Sequence, residues 1–367
     1  QWEAAITTDL KGADYERKLV WRTDEGFNVR PYYRAENLEG IEFLGTRSGE
    51  YPYVRGVCKS NHWRVHQTIG VTCPKTANEQ MLEVLNAGID SIGLCICKEG
   101  FSAEDLDVLL KDVCLTAIEV TFSGKGMASV AELMLAKLEK EKVNAEQIRI
   151  NFVIDPIIEK LSMQGAFSCC EDGSKCFEKI AGLVKKATAY KHVRMVGVSG
   201  HEFHNSGSTI VQELAFTLAA GHEYIVRLMD AGLTVDQAVR SIRFSMAVSS
   251  NYFMEMAKFR AARMLWANIV KAYAPEKGCS CKMFAHAVTS KWNQTVYDPY
   301  VNMLRGTTEA MSAAIAGVHS LEVTPFDAAY ETPNDFSRRI ARNVQLLLKY
   351  ESHFDQVVDP AGGSYYI

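Results

Sequence analysis

The sequence predicts an α/β protein: a (β/α)8 TIM barrel with an extended N-terminal arm. Three observations predict it. From residue 63 onward, eight short β-type runs alternate with longer runs of helical period, the pattern of parallel strands joined by crossover helices. Within several of those runs apolar residues alternate with polar ones, so that one face suits a helix layer and the other a barrel axis. No G-x-G-x-x-G or G-x-x-x-x-G-K-[ST] run follows any strand, which counts against the competing doubly wound sheet with a nucleotide site.

Residues 1–55 come first and behave differently, with alternating charges, few apolar runs, and Pro31 and Pro52 flanked by tyrosines. Such a segment has no core of its own. It is expected to lie across the barrel or to reach a partner chain, with Trp2, Trp21, Phe27, Tyr32 and Tyr33 as anchors. The barrel is assigned to residues 56–367, with strands at 63–69, 91–97, 117–122, 147–154, 193–198, 241–248, 283–289 and 318–324. Helices are read at 77–87, 103–110, 128–140, 176–189, 208–231, 252–273, 300–316 and 334–350. Ser102 ahead of Ala103-Glu104-Asp105 and Thr332-Pro333-Asn334-Asp335 at the final helix are start signals, while Gly221, Gly232 and Gly317 are read as stops.

Composition narrows the function classes. With 40 Lys and Arg against 44 Asp and Glu, the net charge of −4 leaves no footprint for nucleic acid or an anionic membrane. No run of about 18 apolar residues is present. A chain of 367 residues that is 47% hydrophobic excludes disorder and small disulfide scaffolds. The ten cysteines include Cys95-x-Cys97, Cys169-Cys170 and Cys279-x-Cys281, none with paired zinc spacing; reduced thiols filling the core of a cytoplasmic protein are the expectation.

Alternation along the strands sends Trp63, Val65, Ile148, Ile150, Phe152, Ile242, Phe244 and Met246 toward the helices. The axis then receives Arg64, His66, Glu119, Thr121, Arg149, Asn151, Arg243, Ser245 and Glu322, with His286 a candidate to join them. Isolated charges in a core are too costly to tolerate, so Glu119 and Glu322 are expected to pair with those arginines. Two readings of this lining stand: a ligand threaded along the axis, or long side chains plugging it. Arg64, Glu119, Arg149, Arg243 and Glu322 are bulky and favour the plug.

Longer motifs carry a resemblance. The run 251–266 (NYFMEMAKFRAARMLW), the run 335–343 (DFSRRIARN) and the terminal Asp359-Pro360-Ala361-Gly362-Gly363-Ser364-Tyr365-Tyr366 resemble the methylmalonyl-CoA mutase family, as do Pro52-Tyr53-Val54-Arg55-Gly56 and Asp298-Pro299-Tyr300. The resemblance implies a coenzyme-B12 isomerase interconverting succinyl-CoA and (R)-methylmalonyl-CoA. In that family the CoA ester lies along the barrel axis, and a separate C-terminal domain with a D-x-H-x-x-G motif supplies histidine to cobalt. That motif does not occur here, and the ends at Gln1 and Ile367 are expected to be those of a partial chain lacking the cobalamin-type domain.

Departures from the family's active pattern set a further expectation. Where active members read Ser-Gly-Tyr-His, this chain reads Ser199-Gly200-His201-Glu202; Glu322 replaces a histidine after Ser-Leu, and Lys291 replaces a glycine. The loop Val57-Cys58-Lys59-Ser60-Asn61-His62 also lacks the substrate-contacting tyrosine. These losses resemble the noncatalytic small-subunit type, which implies no catalytic, cofactor or metal site on this chain. Adenosylcobalamin and the CoA ester would then be bound by a catalytic large subunit in a heterodimer. Two alternatives remain open at this point: an active acyl-CoA mutase with a rearranged site that uses His201, and a metal-dependent hydrolase built on His201, Glu202 and His204.

Overall fold

Eight parallel strands close into a barrel in the computed structural model, which describes residues 1–162 and 173–367. They are β1 (Arg64–Val71), β2 (Ser91–Ile96), β3 (Glu119–Gly124), β4 (Arg149–Ile154), β5 (His192–Ser199), β6 (Ile242–Val248), β7 (Ala285–Thr289) and β8 (Ser320–Glu322). Neighbours pair in sequence order, and β8 closes on β1 with Glu322 opposite His66. The outer layer is α1 (Pro74–Asn86), α2 (Ala103–Leu109), α3 (Met127–Glu141), α4 (Gly173–Lys186), α5 (Ile210–Asp230), α6 (Tyr252–Ala272), α7 (Val301–Ala316) and α8 (Asp335–Tyr350). Cys169 and Cys170 lie outside the described residues.

Local chemistry starts and ends these helices. The Ser102 hydroxyl accepts the Asp105 N–H at the head of α2, and the Asn334 side chain accepts from Phe336 and Ser337 at the head of α8. Gly317, at φ +76°, turns the chain out of α7. Gly221 differs from its sequence reading as a stop, because it lies inside α5. A Cβ there would come within 2.7 Å of the Phe244 ring and 3.0 Å of Trp266, so the glycine is a packing notch.

The core lies between strands and helices. Ile92, Leu94, Val120, Phe122, Ile150, Phe152, Phe244 and Met246 are buried under the helix layer, with the Phe122 and Phe152 rings stacked at 5.3 Å. At the end of β3, Gly124 has φ +108°, and a Cβ would meet the Ile96 carbonyl oxygen at 2.4 Å. Gly124→Ala is therefore expected to cost about 1–3 kcal/mol, read as a lowered urea midpoint with unchanged m-value. Cys58, Cys73, Cys97, Cys114 and Cys279 are exposed, and Cys281 alone among the described cysteines is buried. They are mostly surface thiols at strand ends and loops, which corrects the core-filling expectation.

The N-terminal segment forms short helices at Trp2–Asp9 and Tyr15–Leu19 and a two-stranded ribbon pairing Trp21–Arg22 with Asn28–Val29. It is fastened to the barrel by polar contacts. The Glu25 carboxylate accepts the Ile210 and Val211 N–H groups at 3.0 and 2.7 Å, completing the positive end of α5. The buried Arg263 guanidinium donates to the carbonyls of Tyr53, Val54 and Ala316. Trp2, Trp21 and Phe27 remain 39%, 48% and 49% exposed, although Trp2 packs on Tyr32 with ring centroids 4.0 Å apart.

Candidate functional site: the barrel axis

Strand register decides which side chains share the axis. Paired positions run from Glu322 to His66, Ser91, Glu119 and Arg149, and a second set joins Gly197 to Arg243 and Ser245 to His286. Because parallel neighbours in register point the same way, all of these face inward. Glu119 and Arg243 are buried, and Glu322 is partly buried.

The charges do not pair as the sequence suggests. Glu119 accepts from the Ser91 hydroxyl at 3.1 Å, and Glu322 accepts the Thr68 N–H at 3.0 Å and its hydroxyl at 2.9 Å. Arg64 donates to the Asp90 carbonyl at 3.3 Å, and Arg149 to the Gln147 carbonyl at 3.2 Å, both at the N-terminal rim. No ion pair joins any of the three arginines to Glu119 or Glu322 among the described residues. The reason is reach: register sets the Ser91 hydroxyl directly beside Glu119, Glu322 reaches Thr68 two residues beyond its register partner His66, and Arg64 and Arg149 begin their strands and turn toward water.

Arg243 is the exception, buried with Nε and Nη2 lacking any hydrogen-bond partner among the described residues. Burial holds its guanidinium below the usual arginine value, against the pull of Glu119 and Glu322. Arg194, which the sequence reading passed over, joins it from β5. Its guanidinium carbon sits 3.7 Å over the Phe284 ring, and burial pulls it down to about 10. The His192-x-Arg194 alternation at the start of β5 was the available signal.

Two histidines complete the constriction. His66 Nδ1 lies 2.7 Å from the Ser91 hydroxyl and His286 Nδ1 lies 2.8 Å from that of Ser320, with the rings 4.8 Å apart. Burial pushes His66 down to about 3 and His286 well below its ordinary value, so both imidazoles are neutral near pH 7. Below this layer, at the N-terminal mouth, opens a cleft of about 1020 Å³ lined by Arg64, Glu119, Arg149, Arg194, Lys282 and Lys349.

The C-terminal mouth is shaped by a short helix, Gly200–Asn205, directly after β5. Gly200 is required there, since a Cβ would lie 2.2 Å from Thr217 Oγ1. His201 Nε2 sits 3.2 Å from Glu202, whose carboxyl is held below its usual range by the hydrogen bond from His201. His204 Nε2 turns inward to the Ser290 hydroxyl at 2.7 Å, and burial takes it down to about 4. The structure thus separates His201 and His204 rather than converging them with Glu202 on one ion. Their Nε2 atoms are taken up by Glu202 and Ser290, and the unpartnered Nδ1 of each is buried, so these residues do not fit a cobalt ligand.

The ionised Glu202 cannot donate a hydrogen bond, and so cannot steady a thioester carbonyl that gains negative charge. Among the described residues, the position implied for a substrate-contacting donor carries a fixed anion.

The family model for methylmalonyl-CoA mutase matches residues 22–101 and 96–367. The methylmalonyl-CoA mutase small subunit of Porphyromonas gingivalis is 43% identical across the whole chain, which spans 59% of that protein. The small subunit of Streptomyces virginiae is 32% identical over 98% of the chain and 57% of its own length. The large subunit of P. gingivalis is 30% identical over 95% of the chain and 52% of its own length. The chain therefore spans little more than half of the relatives it matches. With a closed eight-stranded barrel and a family match along nearly all of it, the chain belongs to the methylmalonyl-CoA mutase family and is similar to its small subunits.

Proposed function

We propose that this chain acts as the noncatalytic small subunit of a heterodimeric, adenosylcobalamin-dependent methylmalonyl-CoA mutase, scaffolding a catalytic large subunit in the cytoplasm. The observation that carries the reading is the occupied axis. Glu119, Arg194, Arg243, His66, His286 and Glu322 take up the space a CoA ester needs to pass between the cleft and the C-terminal mouth. Glu202 in place of a donor supports it further. The greater identity to a small subunit than to a large subunit of the same organism agrees.

In this reading adenosylcobalamin supplies the radical rearrangement on the partner, which also binds the succinyl or methylmalonyl thioester. The residues of this chain position the partner instead. Trp2, Trp21 and Phe27, left exposed on an arm fastened at Glu25 and Tyr53, are the surface offered to it. The full protein, supplied with adenosylcobalamin and methylmalonyl-CoA, is expected to show no turnover alone and turnover once the large subunit is added. Turnover by this protein alone would overturn the proposal and favour an active mutase with a rearranged site.

A further inference from the structure

We propose that His66, His286 and Glu322 form a divalent transition-metal site on the barrel axis. One donor atom from each lies within 4.8 Å of the others, and these three are the residues among those described whose donors converge in this way. Two imidazoles and one carboxylate make a donor set suited to Zn²⁺, Co²⁺ or Fe²⁺ rather than to Mg²⁺ or Ca²⁺.

Hydrogen bonding fixes the direction of one donor. Ser91 Oγ donates to Glu119, so it can only accept from His66 Nδ1 at 2.7 Å, and the ring is the Nδ1–H tautomer. His66 Nε2 therefore carries a lone pair. It faces Glu322 Oε2 at 3.8 Å, too far for a hydrogen bond, while that oxygen also accepts from Thr68. Two acceptor atoms thus face one another, and a cation between them would satisfy both. The Ser320 hydroxyl lies 2.8 Å from His286 Nδ1 and can accept from it when the ring is the Nδ1–H tautomer, the outer support that metal-binding imidazoles use.

Space beside the nitrogen is kept by Gly93. A Cβ at that position would come within 2.8 Å of His66 Nε2 and 2.5 Å of Thr68 Oγ1. Bond lengths of about 2.0–2.2 Å place donors around one ion about 3–4 Å apart, so small side-chain rotations from the observed spacing suffice. Arg243 from β6 opposes a cation here, and Glu119 from β3 offsets it. The unpartnered Nε and Nη2 of Arg243 are then available to an oxygen ligand in the open coordination position.

The test is titration of the full, chelator-stripped protein with Co²⁺ followed by visible absorption, with Zn²⁺ in competition. One equivalent is expected to bind with ligand-field bands and without thiolate charge transfer. Glu322→Gln, which keeps the side-chain shape at a partly exposed position, is expected to weaken binding at least tenfold, as is His286→Asn. No saturable binding, unchanged binding in Glu322→Gln, or a thiolate band placing the ion on the surface cysteines would each overturn the proposal.

Discussion

Replacing Lys258 by methionine is expected to lower the unfolding free energy by about 3–5 kcal/mol, the cost of leaving a buried charge without its partner. Lys258 Nζ lies 2.6 Å from Glu213 on α5 and 2.6 Å from Glu255 on its own helix, and all three side chains are 0% exposed. It also donates to the Ala247 carbonyl at 2.7 Å, while Glu213 accepts the Ala247 N–H at 2.7 Å. The cluster thus ties α5 and α6 to strand β6. Methionine fills the volume but leaves two carboxylates facing each other in a dry core. Urea denaturation followed by circular dichroism reads the loss; a change under 1 kcal/mol would contradict the assignment of Lys258 as the counter-charge.

The second large effect is a pH dependence. Burial pushes the Glu309 carboxyl up to about 8 from an ordinary 4.5, against a hydrogen bond from Asn293 at 3.1 Å. The folded state therefore holds a proton that the unfolded state has lost across that interval. Since the unfolded state binds fewer protons there, stability falls as pH rises, by up to about 1.4 kcal/mol per unit between pH 4.5 and 8. Glu309→Gln mimics the protonated form and is expected to remove that component. Stability curves for the two proteins should converge below pH 4.5 and separate above it; parallel curves across the range would show that Glu309 titrates normally.

Much of the barrel was legible because strand alternation is a local signal. In β2, Ile92, Leu94 and Ile96 are buried outward while Ser91 and Gly93 face the axis, as a period of two requires. Alternation gives a face but not a depth. Arg64 and Arg149 were assigned to the correct face, yet they sit at strand starts, where the N-terminal rim lets a guanidinium reach water and backbone carbonyls. Register was the second missing quantity. It set Ser91 beside Glu119, and it set Glu322 opposite His66, within reach of Thr68 two residues further along, so short hydroxyls took the places expected for guanidiniums.

Side chains whose meaning depends on another helix were the least legible. Glu255 and Lys258 sit three residues apart on α6, but Glu213 comes from α5, and nothing local says that all three are buried. The proposed metal constellation draws on β1, β7 and β8: alternation set His66, Glu322 and His286 on the axis, but not their convergence on one point. The resemblance to a known family supplied what local patterns lacked at the C-terminal mouth, where the substitution at Glu202 has a meaning only against an active pattern.

The proposed function requires a barrel axis closed to a CoA ester. Isothermal titration of the full protein with succinyl-CoA, without the partner subunit, tests it most directly. No saturable binding is expected at millimolar ligand. Stoichiometric binding in the micromolar range, weakened by substitutions along the axis such as Arg243→Met, would show an open channel and contradict the account.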